Sequence, residues 1–201
     1  AEKTLAAPFL IVLDTDTLFV AEPDFTAEDV GVRPVDVKGS ASAGPADPLD
    51  LYWGRMAARA GLSLDNLPWI ETSVSRQRVR TSCNGGFAVV RRELGVLRRT
   101  AEVFFDSFAA DDRPRRGAGD EIRASTGSTG RDAAEWWGSS QAALAVAIWS
   151  TTRDVKTYDT AYNIPLHMIA RKPDLAWVVE NGPPVHLHYH YMLEPALRTE
   201  L

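Results

Sequence analysis

Apolar residues along this chain come in short runs separated by Gly-, Pro- or charge-rich punctuation. Residues 8–13, Pro-Phe-Leu-Ile-Val-Leu, show no polar alternation. Such a run predicts a strand buried on both faces, as in a parallel sheet covered by helices. Residues 17–20, Thr-Leu-Phe-Val, either continue it or form a short second strand, and Glu22-Pro23-Asp24 ends the unit. Val35 and Val37 suggest a strand over 34–38, and the small, Pro-containing stretch 39–47 a loop. Residues 48–60 carry Tyr52, Trp53, Met56, Ala57 and Ala60 at helical spacing, with Gly61 as a C-terminal cap. Residues 87–90, Phe-Ala-Val-Val, predict a second buried strand.

Arg91-Arg92-Glu93 then opens an amphipathic helix whose inner face is Leu94, Leu97, Ala101, Phe104 and Phe108. Residues 111–132 hold few large apolar side chains and read as a mobile loop. Residues 141–150 are apolar all round, which predicts a buried helix. A turn over 158–165, strands over 176–179 and 185–190 and a short helix over 192–201 complete the reading. Nothing repeats internally.

Composition bounds the function. The 201 residues, 45% hydrophobic and 24% charged, suit one domain over 1–201 with a real core. The net charge is -5 and basic residues form no long run, which argues against nucleic acid as a partner. The longest apolar stretches fall far short of the ~20 residues that span a bilayer, so no transmembrane segment is expected. One cysteine, Cys83, rules out an internal disulfide and fits a cytoplasmic location. The chain opens on Ala1, and the first strand follows within nine residues. A doubly wound domain would place βα units ahead of such a strand, so an upstream portion is expected.

Three groups of residues could carry chemistry. Asp14-Thr15-Asp16 directly follows the first apolar run. Two carboxylates there repel unless a cation sits between them, and a hard divalent metal with oxygen ligands suits them; an acidic turn is the bland alternative. His186, His188 and His190 alternate, so a strand would point all three the same way. Imidazole ligates divalent metals, although a solvent-facing edge strand would show the same pattern. Asn84-Gly85-Gly86 precedes a buried strand, where glycines let backbone approach a ligand, or simply turn. Phosphate-binding glycine fingerprints and a nucleophile elbow are both missing. Cys83 lacks a nucleophile's setting, and His167 beside Pro165 reads as structural.

In this order the pieces resemble a GT-A-fold glycosyltransferase of the D-x-D type. The matching residues are Leu13-Asp14-Thr15-Asp16-Thr17-Leu18-Phe19-Val20 with Pro23, Asn84-Gly85-Gly86-Phe87-Ala88-Val89-Val90, Ser140-Gln141 with Leu144, Tyr162-Asn163-Ile164-Pro165 and the late histidine strand. The resemblance runs from Phe9 to Tyr191. It implies an α/β fold, a mixed sheet flanked by helices, of which this chain is the metal- and acceptor-side portion. It implies a nucleotide-sugar donor, a carbohydrate or other hydroxyl acceptor, and Mn²⁺ or Mg²⁺ held by Asp14, Asp16 and His188. Thr15, His186 and His190 are further candidates for binding the cofactor, while Asn84, Gly85 and Gly86 would line the donor or acceptor pocket. Gln141 would sit near the reacting sugar, with nearby Glu135 as the candidate base, since Ser140 stands where relatives carry an acid. Two rivals share the opening motif. A haloacid-dehalogenase-like phosphatase would use Asp14 as nucleophile, with its later acids at Asp111-Asp112 or Asp120-Glu121. A nucleotide- or carbohydrate-binding remnant would keep the fold without turnover.

Overall fold

The computed structural model describes residues 2–26, 29–119, 122–124, 127–169 and 182–189. The architecture is mixed α/β. Strands β1 (Phe9–Leu13), β2 (Thr17–Phe19) and β3 (Val30–Pro34) lead to helix α1 (Leu49–Arg59). Hairpin β4 (Trp69–Glu71) and β5 (Arg78–Arg80) precedes the long strand β6 (Cys83–Arg91) and helix α2 (Val96–Ala109). Hairpin β7 (Ile122–Ala124) and β8 (Gly127–Thr129) and the turn-length α3 (Arg131–Glu135) lead into α4 (Ser139–Thr151). Short β9 (Val155–Thr157), β10 (Ile164–Pro165), α5 (Leu166–Ile169) and β11 (His186–His188) follow.

One sheet has the order β1-β6-β3-β9, and a second has the order β10-β11-β2. In the first, β6 runs antiparallel to both β1 and β3, while β9 runs parallel to β3. The strand buried on both faces is therefore β6. Its Ala88 and Val90 join the core beneath α1, α2 and α4, and its Phe87 and Val89 pack with Tyr158 and Tyr162 on the opposite face.

This corrects the reading of the first apolar run. β1 is an antiparallel end strand of its sheet, with Leu10 buried against the helices and Ile11 and Leu13 exposed on the other side. A five-residue apolar run cannot tell a central strand from an edge strand with one covered face.

The third strand also lies earlier than its pattern suggested, at Val30–Pro34 instead of 34–38. Gly31 and Arg33 interrupt its apolar signal, yet both are buried. A Cβ at Gly31 would overlap the Tyr158 ring, so the close approach of that ring requires glycine. Arg33 tolerates burial because its Nε donates to the Tyr162 carbonyl at 2.9 Å and its guanidinium lies 4.0 Å from Asp36.

Helices α1 and α4 fall where the periodicity put them, and Gly61 has the left-handed φ of +73° just past α1. Helix α2 is present, but its inner face is rotated from the expected one: Val96, Val103 and Ser107 are buried with Leu97 and Phe104 partly covered, whereas Ala101 and Phe108 are exposed. A turn of 3-10 helix over Arg92–Leu94 and left-handed Gly95 delay α2 to Val96. Within 111–132, read as a loop, the described residues form a turn, the β7–β8 hairpin and the start of α3. The readings over 176–179, at His190 and over 192–201 lie outside the described residues.

Candidate metal centre

The acidic pair occupies the turn between the two sheets. Asp14 leaves β1 opposite Gly86, whose carbonyl accepts the Asp14 amide at 3.1 Å. Asp16 precedes β2, and its carbonyl accepts the Tyr189 amide at 3.0 Å. β2 and β11 pair antiparallel with Thr17 opposite His188, so the imidazole of His188 arrives beside the residue just before Thr17. Its Nε2 lies 3.2 Å from Asp16 Oδ1 and 3.7 Å from Asp14 Oδ2. One ligand atom from each of the three lies within 4.8 Å of the others. Ligands at right angles about one cation at ~2.1 Å would stand about 3 Å apart, so small rotations would bring all three onto one ion. Asp14 is half-exposed and gives access, whereas His188 is buried.

Electrostatics favours a cation. Burial raises the Asp14 pKa above its ordinary value, and Asp16 adds to this while His188 opposes it. The ionised form of Asp14 is thus disfavoured as it stands, the condition a divalent ion relieves. Two carboxylates with one imidazole suit Mn²⁺ better than Mg²⁺, which prefers oxygen alone.

The strand behind the site explains its glycines. Asn84, Gly85 and Gly86 lie inside β6 and form no turn before it. A Cβ at Gly86 would overlap the Asp14 carboxylate. A Cβ at Gly85 would come 3.2 Å from Gln141 Cγ, so the first turn of α4 forms the neighbouring wall. Asn84 is buried; its Oδ1 accepts the Gly86 amide at 3.0 Å and its Nδ2 reaches Asp36 at 3.5 Å. Its side chain braces the strand from behind.

Asp36, Arg33 and Ser73 are part of this support and were missed in the sequence. The Asp36 carboxylate accepts from Ser73 Oγ at 2.8 Å and faces Arg33. Burial raises its pKa, against the lowering effects of Arg33, Ser73, His188 and Asn84. A lone Asp between Val35 and Val37 was the available signal, since alternation turns it away from Val35's buried side.

Other expected residues fall elsewhere. His186 shares the inward face of β11 with His188 but is fully buried, stacked 4.4 Å from the Phe19 ring with the tilted Phe87 ring at 5.3 Å. Burial and then His188 push its pKa down to about 4, so it is a neutral packing residue with no surface for a donor. Glu135 is engaged by the Gly117 amide and by Arg113, both at 2.8 Å. These bonds lower its pKa, the reverse of what a general base needs. Thr15 is exposed on the turn. Cys83 is buried and its thiol is pushed up to about 12, so it is no nucleophile.

No family model matches the chain, and neither a curated protein nor a solved structure is detectably similar to it. Among the described residues no helix is long and apolar enough to cross a membrane.

Proposed function

We propose that this chain is a metal-dependent glycosyltransferase of the GT-A type, acting on a nucleotide-sugar donor and a hydroxyl acceptor, with a cytoplasmic location as part of the same reading. The observation that carries the proposal is the meeting of Asp14, Asp16 and His188, residues over 170 positions apart, beside a glycine strand shaped to admit the Asp14 carboxylate. Bound Mn²⁺ would supply positive charge where a leaving nucleotide diphosphate develops negative charge. The chain's own residues do the rest. Asp14 and Asp16 would hold the ion from two sheets, with His188 as the third ligand, and Gln141 lines the adjoining wall. Asp36, Arg33 and Asn84 fix the strand that sets Asp14.

The phosphatase alternative gains no support from Asp111 and Asp112. Asp112 pairs with Arg55 and Arg59, and Asp111 with Arg113 and Arg116. The pair Asp120-Glu121 lies outside the described residues.

The test is Asp16→Ala, assayed with a panel of nucleotide sugars and Mn²⁺ for release of nucleoside diphosphate. The expected result is metal-dependent release by the parent chain, loss of at least ~100-fold in the variant, and an unchanged circular dichroism spectrum. An aspartyl-phosphate trapped on Asp14, or full turnover by the variant with chelator present, would overturn the assignment.

A further inference from the structure

A concavity lined by arginines and apolar residues lies outside the metal centre. It encloses about 540 Å³ and is walled by Gly39, Tyr52, Arg55, Arg113, Arg115 and Arg116, with apolar residues of α1 completing it. Among the described residues, four arginines line it and no acidic residue does. Acids hold three of these arginines, with Arg116 paired to Asp111. Arg55 Nε binds Asp112 at 2.7 Å, and Arg113 binds Asp111 at 2.6 Å and Glu135 at 2.8 Å while stacking on Trp136. Each such pair consumes one or two of the five N–H donors of a guanidinium and fixes the direction of the rest.

Tyr52 supplies an independent sign of a ligand. The residue is 2% exposed, and its hydroxyl has no hydrogen-bond partner among the described residues. A buried hydroxyl without a partner costs free energy that an incoming acceptor oxygen would recover. Burial also pushes its pKa up, which keeps the proton available for donation.

A chain of contacts links the cavity to the metal centre. Gly39 forms part of its wall, and the next residue, Ser40, lies so close to Gly138 that its Cβ would be 2.8 Å from a Cβ there. Gly138 caps α4, whose first turn carries Gln141 against Gly85, next to the glycine beneath Asp14.

We propose that this cavity is the oxyanion subsite for the acceptor, taking a hydroxyl compound that carries a phosphate or carboxylate group on Arg55, Arg113, Arg116 and the Tyr52 hydroxyl. The word acceptor rests on the transferase reading; the binding of an oxyanion does not. The cation that Asp14, Asp16 and His188 would hold supplies the counter-charge for the donor's diphosphate, which leaves the arginine cavity to serve the other substrate. Its volume suits a group the size of a sugar phosphate.

The test is calorimetric titration of the whole chain at low ionic strength with chelator present, using glucose 6-phosphate, glucuronate and glucose as probes. Glucose 6-phosphate is expected to bind with a dissociation constant on the order of 1 mM, and glucose not to bind. Glucuronate binding as well as glucose 6-phosphate extends the class to carboxylates, and its failure restricts the class to phosphates; both results support the site. Arg55→Gln combined with Arg116→Gln should weaken binding about tenfold or more. Tyr52→Phe should weaken it several-fold while leaving the melting temperature unchanged or raised, because it removes an unpartnered hydroxyl. Equal binding of glucose, no binding of either charged probe, or full affinity in the arginine pair variant would overturn the proposal. Because the titration contains neither metal nor nucleotide sugar, it is independent of the transferase assay. Oxyanion binding in a chain with no donor turnover would keep the anion site and overturn its assignment to an acceptor.

Discussion

The sharpest test of the metal centre is a single methyl group at Gly86. A Cβ there would overlap Oδ2 and Cγ of Asp14 and stand 3.1 Å from its Cβ. Reaching an ordinary contact of about 3.5–4 Å requires the carboxylate to retreat by about 1 Å or more. The backbone cannot yield easily, because the Asp14 amide is bonded to the Gly86 carbonyl at 3.1 Å and Asn84 braces the Gly86 amide. The side chain instead has to swing outward, which its half-exposed position allows. That motion carries Oδ2 away from His188, now 3.7 Å distant, and breaks up the three-ligand cluster. Gly86→Ala should therefore weaken Mn²⁺ binding about 10–100-fold, the usual cost of disturbing a ligand's support. Stability should change by no more than about 1 kcal/mol, since alanine in a strand recovers some of what the contact costs. Manganese electron paramagnetic resonance titration and thermal melts check both numbers. Gly85→Ala is the control: its Cβ would meet the flexible Gln141 side chain at 3.2 Å and leave metal affinity unchanged. Equal Mn²⁺ affinity in Gly86→Ala and the parent, or no Mn²⁺ binding by the parent below about 1 mM, would refute the geometry argued for this site.

Two further outcomes follow from buried charge. The folded pKa of Asp14 is raised from 3.8, first by burial and then by Asp16, so its ionised form costs stability as the pH climbs from about 3.8 through the folded pKa, and costs none below. Asp14→Asn should thus raise metal-free stability at pH 7, by no more than about 1 kcal/mol after solvent screening, and change nothing near pH 3; a less stable variant at pH 7, measured by thermal melts with chelator, contradicts this. Arg33→Met should cost about 3–5 kcal/mol in urea unfolding, because it strips the Tyr162 carbonyl of its donor and leaves the largely covered Asp36 without its Arg33 partner. A loss under about 1 kcal/mol would show that the pair contributes little.

The sequence spoke most clearly where the structural signal is local. The helical spacing at Tyr52, Trp53, Met56 and Ala57 and the apolar run of α4 each depend on residues within one element. The alternation of His186 and His188 likewise survived as a shared inward face. What that alternation could not say is which of the two reaches the acids. That depends on register against β2, which puts Thr17 opposite His188 and Phe19 opposite His186. The edge position of β1, the burial of Arg33 and the placement of Asn84 inside β6 are likewise set by partners far along the chain. Asp36 reads as one ordinary acid between two valines until Arg33, Ser73 and Asn84 gather around it.

The candidate centre is a joint between two sheets. β1 belongs to the sheet with β6, β3 and β9, and β2 to the sheet with β11 and β10. Asp14 is positioned by the first, through its amide on Gly86. Asp16 is positioned by the second, through its carbonyl on the Tyr189 amide and the β2–β11 register. The separation of the two carboxylates is therefore a measure of how the sheets sit against each other at this turn. Repulsion between the ionised acids favours opening of the joint, and a cation shared among Asp14, Asp16 and His188 favours its closure. Binding of the ion and ordering of the joint are then one equilibrium, and any group that draws charge onto the ion from the open side at Asp14 acts on both sheets at once.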